Sequence, residues 1–312
     1  MTLKIFYKNF IWNDILDASI IYSFDKSGYL RHASDYKKEE FKQLSNVLIT
    51  GGTSGIGLSC AISLKSNCSE IIVTGRNSEK GHLAAAKHGI NFLELDMEDW
   101  DEISDFVQRI QKPLDGLVLN AGGMPDNFMV NDYGVESQVA SQFFGHYFLL
   151  KELYKQDKLI QGSRVVFVSS GGMYLKNIDL DIVFKNEKYD KVATYANVKR
   201  MQVMSLGPLS EEFNGIDIVG MHPGWVDTPG LRSAISDFFD KMKDKLRSPS
   251  QGSDTIVWLL LTKSALGKGE LYFDRRRVKK HYFPHTLLSN LKQGQLNKLI
   301  KQISLQYDQK KQ

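Results

Sequence analysis

The chain has 312 residues, of which 42% are hydrophobic and 24% charged, and its formal net charge at pH 7 is +4. This length and apolar content are sufficient for one large buried core with appended segments. So small a net charge predicts neither nucleic acid nor an anionic membrane as the partner of the chain as a whole. No apolar run approaches the length of a membrane span, so we predict no transmembrane segment.

The two cysteines, Cys60 and Cys68, have no companions at metal-ligand spacing. Both are expected in the helix that follows a glycine-rich turn, where about 12 Å of helical rise would separate them, too far for a disulfide. We therefore predict no disulfide and no metal site, and a reduced, cytoplasmic protein.

Residues 1–45 differ from the rest of the chain. Apolar side chains recur at roughly helical spacing from Phe6 to Phe24, and Ser27-Gly28 is expected to end this helix. We predict a helical extension that packs on the surface of the following domain. A helix that lies on a membrane surface or binds a partner is the alternative that this pattern leaves open.

Strands and helices alternate from residue 46 to about residue 275. Short apolar runs typical of buried parallel strands are separated by helical patterns such as 100–110 and 134–154. This alternation predicts an α/β fold: a doubly wound parallel sheet of the Rossmann type in a single domain. The predicted strands centre on 47–50, 71–73, 92–95, 117–119, 165–168 and 216–220.

The first strand leads into a glycine cluster, Gly51 to Gly57. A glycine-rich turn between a parallel strand and a helix lets the backbone approach a phosphate, which the positive helix end then holds. A glycine cluster is weak evidence alone, because flexible turns also contain glycine. Three further elements accompany it, namely Asn120-Ala121-Gly122, Ser169-Ser170, and Tyr195 with Lys199.

As a set, these motifs resemble the short-chain dehydrogenase/reductase family, whose first glycine motif reads Thr-Gly, three residues, then Gly-x-Gly. The resemblance covers residues 46 to about 275 and implies a nicotinamide dinucleotide cofactor. It also implies reduction of a carbonyl group or oxidation of a secondary alcohol. Additional motifs are similar to one group within the family, namely 170–173, 221–225, 227–230 and 251–258.

The resemblance places the cofactor against several separated segments. The implied contacts are Gly51, Thr53, Ser54, Gly55, Ile56, Gly57, Arg76, Asp96, Asn120, Ala121, Gly122, Tyr195, Lys199, Pro223, Gly224, Val226 and Thr228. Gly75 stands where an acid would bond the 2′-hydroxyl of NAD, and Arg76 could clamp a 2′-phosphate, so we predict NADP. Arg76 as an ordinary surface arginine is the alternative. Asp96 could also cap the following helix, which is compatible with a position beside the adenine.

The implied chemistry needs a proton donor and a hydrogen bond to the developing alkoxide. Tyr195 can supply the proton, and Lys199, one helical turn on, can favour its ionised form. By resemblance, Lys199 also holds the nicotinamide ribose and Ser170 bonds the substrate carbonyl. Ser169 takes that role if the register shifts by one residue.

Gln142 departs from the family pattern, in which an asparagine helps hold a water between the lysine and solvent. Its longer side chain predicts a shifted or weakened relay. This departure favours the rival hypothesis, a cofactor-binding protein with little turnover that acts as a scaffold or redox sensor. His222 is tempting as a base, but a lone histidine at a strand end is more often structural, and we assign it no role.

Three segments around the site remain. The gap between Ser170 and Tyr195 predicts an inserted loop over 173–191 that borders the substrate mouth, and residues 231–246 occupy the position of the family's lid. Apolar side chains at helical spacing in that lid favour an apolar small molecule as substrate, namely Phe238, Phe239, Met242 and Leu246. Residues 276–312 are predicted to be a basic tail, whose charges are more often solvated than phosphate-binding. A homodimer is possible.

Overall fold

The computed structural model describes residues 23–184, 188–279 and 281–311. Its centre is one sheet of eight strands in the order β3-β2-β1-β4-β5-β6-β7-β8, in which only the last pair, β7 and β8, is antiparallel. The strands are β1 Leu44–Ile49, β2 Cys68–Gly75, β3 Asn91–Glu94, β4 Leu114–Leu119, β5 Leu159–Val168, β6 Asp217–Met221, β7 Leu271–Phe273 and β8 Arg276–Arg277. The predicted doubly wound parallel sheet is therefore confirmed.

Helices cover both faces of this sheet. They are α1 Lys26–Ala33, α2 Gly55–Leu64, α3 Ser78–His88, α4 Trp100–Gln108, α5 Ser137–Val139, α6 His146–Lys155, α7 Lys191–Glu212, α8 Pro229–Ala234, α9 Ser236–Met242, α10 Pro249–Leu261 and α11 Gln293–Lys310. Strands covered on both faces bury every side chain, which is why Val47, Leu48 and Ile49 are all fully buried. Two apolar clusters result, one on each side of the sheet.

The strand order reverses between β1 and β4. From β1 the chain runs outward through β2 to β3, then crosses back to β4 on the other side of β1. The loops at the carboxyl ends of β1 and β4 therefore diverge, and the crevice between them is where ligands bind in open α/β sheets. This topology places the glycine cluster and the segment after Leu119 beside each other.

The helix predicted over 134–154 is not uniform. It begins at α5, where the Glu136 carboxylate accepts a hydrogen bond from Val139 N at 2.9 Å. A π-helical segment, Ala140–Gly145, then precedes α6. A Cβ on Gly145 would lie 2.2 Å from the carbonyl oxygen of Met97, so the wider helix passes very close to the loop after β3. Such π segments are frequent at functional sites.

Two expectations were wrong in detail. Cys60 lies in α2, but Cys68 is the first residue of β2, because the helix ends at Leu64. Ser27 and Gly28 do not end a helix but lie in the first turn of α1, where Gly28 N donates to the Asp25 side chain. The helix predicted from Phe6 lies mostly outside the described residues.

The end of the chain contains helices that the sequence analysis did not predict. A 3₁₀ helix, Pro284–Lys292, leads directly into α11. The Tyr307 ring of α11 stacks on Phe148 of α6 with centroids 3.9 Å apart, and Lys151 pairs with Asp308 at 2.7 Å. Among the described residues, no helix is long and apolar enough to cross a membrane.

Candidate active site

A cleft of about 860 Å³ opens at the carboxyl edge of the sheet, at the reversal between β1 and β4. Every residue proposed from the sequence for cofactor binding or catalysis lines it, except Gly57. A Cβ on Gly57 would lie 2.5 Å from Gly51 O, so this glycine lets α2 pack against the preceding turn. The topology thus brings together residues that are far apart in the sequence.

The glycine cluster forms one wall of the cleft. Gly51 and Gly55 have φ of +64° and +54°, the left-handed region that favours glycine. A Cβ on Gly51 would lie 2.8 Å from Ala121 Cα. Ser54 precedes the first turn of α2 and makes no side-chain cap hydrogen bond. The N-terminus of α2 is therefore open to an anion, as the phosphate hypothesis requires.

Asn120 fixes this turn in place. Its side-chain Nδ2 donates to Thr50 O at 2.9 Å and to Gly51 O at 3.2 Å. The backbone N–H groups of Asn120 and Ala121 both donate to Thr50 Oγ1 at 2.9 Å. The segment after β4 and the turn after β1 are thus held together by hydrogen bonds.

Arg76 lies at the far end of the cleft, directly after β2. Its side chain is 68% exposed, and its Nη1 lies 3.7 Å from Glu98 Oε1. Burial raises the pKa of Glu98 above its usual value, and a hydrogen bond from Ser137 offsets only part of this rise. Asp96 Oδ1 accepts a hydrogen bond from Glu98 N at 3.0 Å within the turn after β3. The expectation that Asp96 caps the following helix was wrong, because α4 is capped by Asp99, whose side chain accepts from Glu102 N.

The two serines after β5 have different environments. The Ser169 side chain is buried, and its hydroxyl donates to Lys199 O at 3.0 Å. The Ser170 hydroxyl lies in the cleft and accepts a hydrogen bond from Gly172 N at 3.1 Å. Ser170 is therefore the serine whose hydroxyl remains available to a ligand.

Tyr195 and Lys199 lie on the cleft side of α7. Lys199 Nζ is 5.3 Å from the centre of the Tyr195 ring and donates to Val168 O at 3.0 Å. Burial raises the pKa of Tyr195 above its usual value, and a hydrogen bond with Ser170 offsets only part of this rise. Burial lowers the pKa of Lys199 from 10.5 to about 7. The three side chains thus lie close together on the wall of the cleft, with Lys199 buried.

The buried lysine predicts a measurable dependence of stability on pH. A base whose pKa falls on folding binds fewer protons in the folded state, so the free energy of unfolding rises with pH from about 7 to 10.5. Replacing Lys199→Met should raise the free energy of unfolding at pH 7 and flatten that rise. Urea unfolding across this pH range measures both effects. The exposed Lys155→Met is the control, and an unchanged slope in Lys199→Met would contradict the explanation.

Gln142 lies on the π-helical segment and is fully buried. Its Nε2 donates to Gly123 O at 2.7 Å, and its Oε1 would be 2.6 Å from a Cβ on Gly122. The carbonyl of Gln142 accepts a hydrogen bond from Gln202 Nε2 at 2.7 Å. The side chain therefore bonds the segment after β4, and among the described contacts none joins it to Lys199.

The remaining wall is the loop after β6. Gly224 has a φ of +74°, and a Cβ there would lie 2.6 Å from Arg247 Nε and Phe24 O. The Thr228 hydroxyl accepts a hydrogen bond from Leu231 N at 3.1 Å and so caps α8. His222, at the end of this strand, stacks on Phe273, and burial lowers its pKa to about 3. This histidine is part of the aromatic core.

Comparison with known proteins agrees with this geometry. A family model described as short chain dehydrogenase matches residues 45–180. The chain is 30% identical to Dehydrogenase/reductase SDR family member 12 of Homo sapiens over 88% of this chain and 90% of that protein. The chain belongs to the short-chain dehydrogenase/reductase family. The additional motifs at 170–173, 221–225, 227–230 and 251–258 were similar to the group within the family to which this human relative belongs.

Two solved structures share the fold of this short-chain dehydrogenase/reductase. One is an actinorhodin polyketide ketoreductase variant with NADPH, at 23% identity and a TM-score of 0.54, covering 69% of this chain and 90% of that one. The other is BdcA in complex with NADPH, at 21% identity and a TM-score of 0.58, covering 74% and 93% respectively. At these identities the likeness shows the fold.

Sequence reasoning missed several residues around the cleft of this family member. One of them is Trp225, which lines the cleft with its ring centroid 5.3 Å from that of Phe238. Of the four apolar lid residues predicted, only Phe238 lines the cleft, while Leu246 is buried. Other lining residues without a sequence signal are Thr74, Glu98, Gly123, Met124, Pro125, Met129 and Leu175. These positions depend on how the loops fold over the sheet edge.

Proposed function

We propose that the chain is an NADP(H)-dependent oxidoreductase that reduces a carbonyl group or oxidises a secondary alcohol. The observation that supports this best is the placement of Ser170, Tyr195 and Lys199 in the same cleft as the glycine turn and Arg76. The open N-terminus of α2 and the close approach of Gly51 to Ala121 fit a dinucleotide phosphate group against bare backbone.

In this proposal the nicotinamide cofactor supplies the hydride that the carbonyl carbon receives. The Ser170 hydroxyl donates a hydrogen bond to the carbonyl oxygen and orients it. The Tyr195 hydroxyl transfers its proton to that oxygen as negative charge develops. Charged Lys199 favours the resulting phenolate of Tyr195, because opposite charges a few ångströms apart stabilise each other in a buried site.

The cofactor preference rests on Arg76. Among the residues that the structure describes, its exposed guanidinium has only a long contact to Glu98, which leaves it able to turn toward a 2′-phosphate. Two structural neighbours were solved with NADPH, which supports the same choice. A carboxylate close to the Arg76 guanidinium, such as that of Glu98, would weaken the binding of a 2′-phosphate there. Replacing Glu98 therefore tests the same contact from its other side.

Arg76→Ala should lower the affinity for NADPH by about one to two decades while leaving that for NADH nearly unchanged, since a charge-assisted hydrogen bond is worth about 1.5–3 kcal/mol. Glu98→Gln, the matched control on the other side of the contact, should keep or strengthen NADPH binding. Calorimetric titration of both variants with both cofactors measures this. Equal affinity of the unmodified protein for NADH and NADPH would overturn the assignment.

The substrate class is inferred from the cleft walls. Trp225, Phe238, Leu175 and Met129 provide apolar surface in the same cleft as Ser170 and Tyr195. We therefore infer an apolar carbonyl or alcohol of small-molecule size. Oxidation of NADPH against a carbonyl library, with Tyr195→Phe as the inactive reference, tests the function directly. Absence of turnover with tight NADPH binding would contradict it.

A second function has one specific observation in its favour. Gln142 bonds Gly123, and Lys199 bonds Val168, so the described contacts contain no side-chain link from the lysine through Gln142. This arrangement suits a protein that binds the cofactor with little turnover and acts as a scaffold or redox sensor. Tight NADPH binding without turnover of any library member would favour this second function.

A further inference from the structure

The 3₁₀ helix Pro284–Lys292 has its apolar face turned outward. Leu287, Leu288 and Leu291 are 55%, 63% and 79% exposed, whereas Thr286 and Ser289 of the same helix are fully buried. Single exposed leucines are common, but three on one short helix with polar residues beneath them form a patch. We call these three side chains the leucine patch.

Polar contacts fix this inverted orientation. Ile178 N donates to Ser289 Oγ at 2.9 Å, and Ser289 N donates to Asn177 Oδ1 at 3.0 Å. Asn177 Nδ2 in turn donates to His285 O at 2.7 Å. Turning the leucines inward would break these bonds and leave buried polar groups unpaired. The outward apolar face is therefore built into the fold.

The charge around the leucine patch is strongly positive. Residues 275–312 contain ten Lys and Arg and a single acid, Asp308, whereas the rest of the chain contains 30 basic and 35 acidic residues. Some of these charges are neutralised, as in the pair of Arg275 with Asp254. Lys279, Lys292 and Lys298 have no carboxylate within 4.0 Å among the residues that the structure describes. The segment that carries the leucine patch therefore has a net positive charge.

The leucine patch also adjoins the mouth of the cleft. The ring of Phe283, just before the helix, lies 4.6 Å from that of Tyr174. His285 Nε2 bonds Tyr174 O at 2.7 Å. The next residue, Leu175, is 60% exposed and lines the cleft. A surface that covers the leucine patch would therefore lie beside the entrance to the site.

We propose that the leucine patch and its flanking lysines dock this protein on an anionic lipid bilayer. The leucines enter the boundary between headgroups and acyl chains, and the lysines bind the negative headgroups. Charge favours lipid over a second copy of the chain, because a two-fold interface at this patch would bring lysines against lysines. Docking on lipid does not depend on the catalytic assignment, whereas its use as an entry route for an apolar substrate rests on the proposed function.

Flotation of the full chain with two kinds of vesicle tests this. We expect binding to an equal mixture of phosphatidylcholine and phosphatidylserine, and little binding to phosphatidylcholine alone. The triple variant Leu287→Ser/Leu288→Ser/Leu291→Ser should lower the bound-to-free ratio by at least about tenfold, because binding scales with buried apolar area. Leu83→Ser, a 66% exposed leucine on α3, is the matched control and should bind normally.

A charge variant and salt separate the two contributions. Lys279→Glu/Lys292→Glu should weaken binding, and about 1 M salt should do the same, since the Debye length then falls to about 3 Å. All of these side chains are exposed or half-buried, so the variants should keep the thermal midpoint of the parent. No vesicle binding by the parent, or undiminished binding by the triple variant, would overturn the proposal. A dimer that the triple variant converts to monomer, but Leu83→Ser does not, would also overturn the proposal, because the leucine patch would then hold two copies of the chain together.

Discussion

Tyr195→Phe should lower the rate of carbonyl reduction by about 10²–10⁴, because the variant lacks the hydroxyl that transfers the proton. The ring would still fill its place on α7 beside Lys199, so NADPH affinity should change little. Steady-state rates with a substrate found in the library, together with calorimetric titration of NADPH, measure the two effects separately.

Ser169→Ala and Ser170→Ala form a matched pair for the same mechanism. Ser170 has its hydroxyl in the cleft, so its loss should lower the rate, whereas the Ser169 hydroxyl donates to Lys199 O and should affect mainly stability. Full activity in Tyr195→Phe would refute the proton-donor role. A larger rate loss in Ser169→Ala than in Ser170→Ala would reverse the serine assignment.

Arg247→Met should lower the free energy of unfolding by about 3–5 kcal/mol, because it leaves a buried carboxylate without its main partner. Arg247 and Asp274 are both nearly fully buried and pair through two hydrogen bonds at 2.5 and 2.9 Å. Arg247 also donates to the carbonyls of Ser23, Phe24, Asp25 and Pro223. This arginine therefore joins the segment before α1 to the loop that forms one wall of the cleft.

Urea unfolding of the variant, with a surface arginine as control, tests this role. Arg277 pairs with Glu270 but is 61% exposed, so Arg277→Ala should cost less than about 1 kcal/mol. The double variant Arg247→Met/Asp274→Met should be less destabilised than Arg247→Met alone, since it buries no unpaired carboxylate. Equal losses of unfolding free energy in Arg247→Met and Arg277→Ala would contradict the larger stabilising role assigned to the buried pair of Arg247 and Asp274.

The sequence predicted those features whose physical cause is local. Continuous apolar runs such as Val165 to Val168 indicate strands buried on both faces, and the glycines before α2 permit backbone angles that other residues avoid. Tyr195 and Lys199 share a helix face because of their spacing. Local patterns failed where tertiary contacts decide. Ser27 and Gly28 were expected to end a helix, yet Asp25 caps the helix that begins there.

The sequence by itself determined the alternating α/β fold and indicated the candidate residues that this fold brings to the cleft, but not lining residues such as Trp225 and Leu175. Tertiary structure alone decided which serine hydroxyl is free and where Gln142 points, because both depend on partners far along the chain. It also decided that Leu287, Leu288 and Leu291 face outward. Helical periodicity shows that such a segment has an apolar face, but only the hydrogen bonds of Ser289 to another loop fix which face is inside.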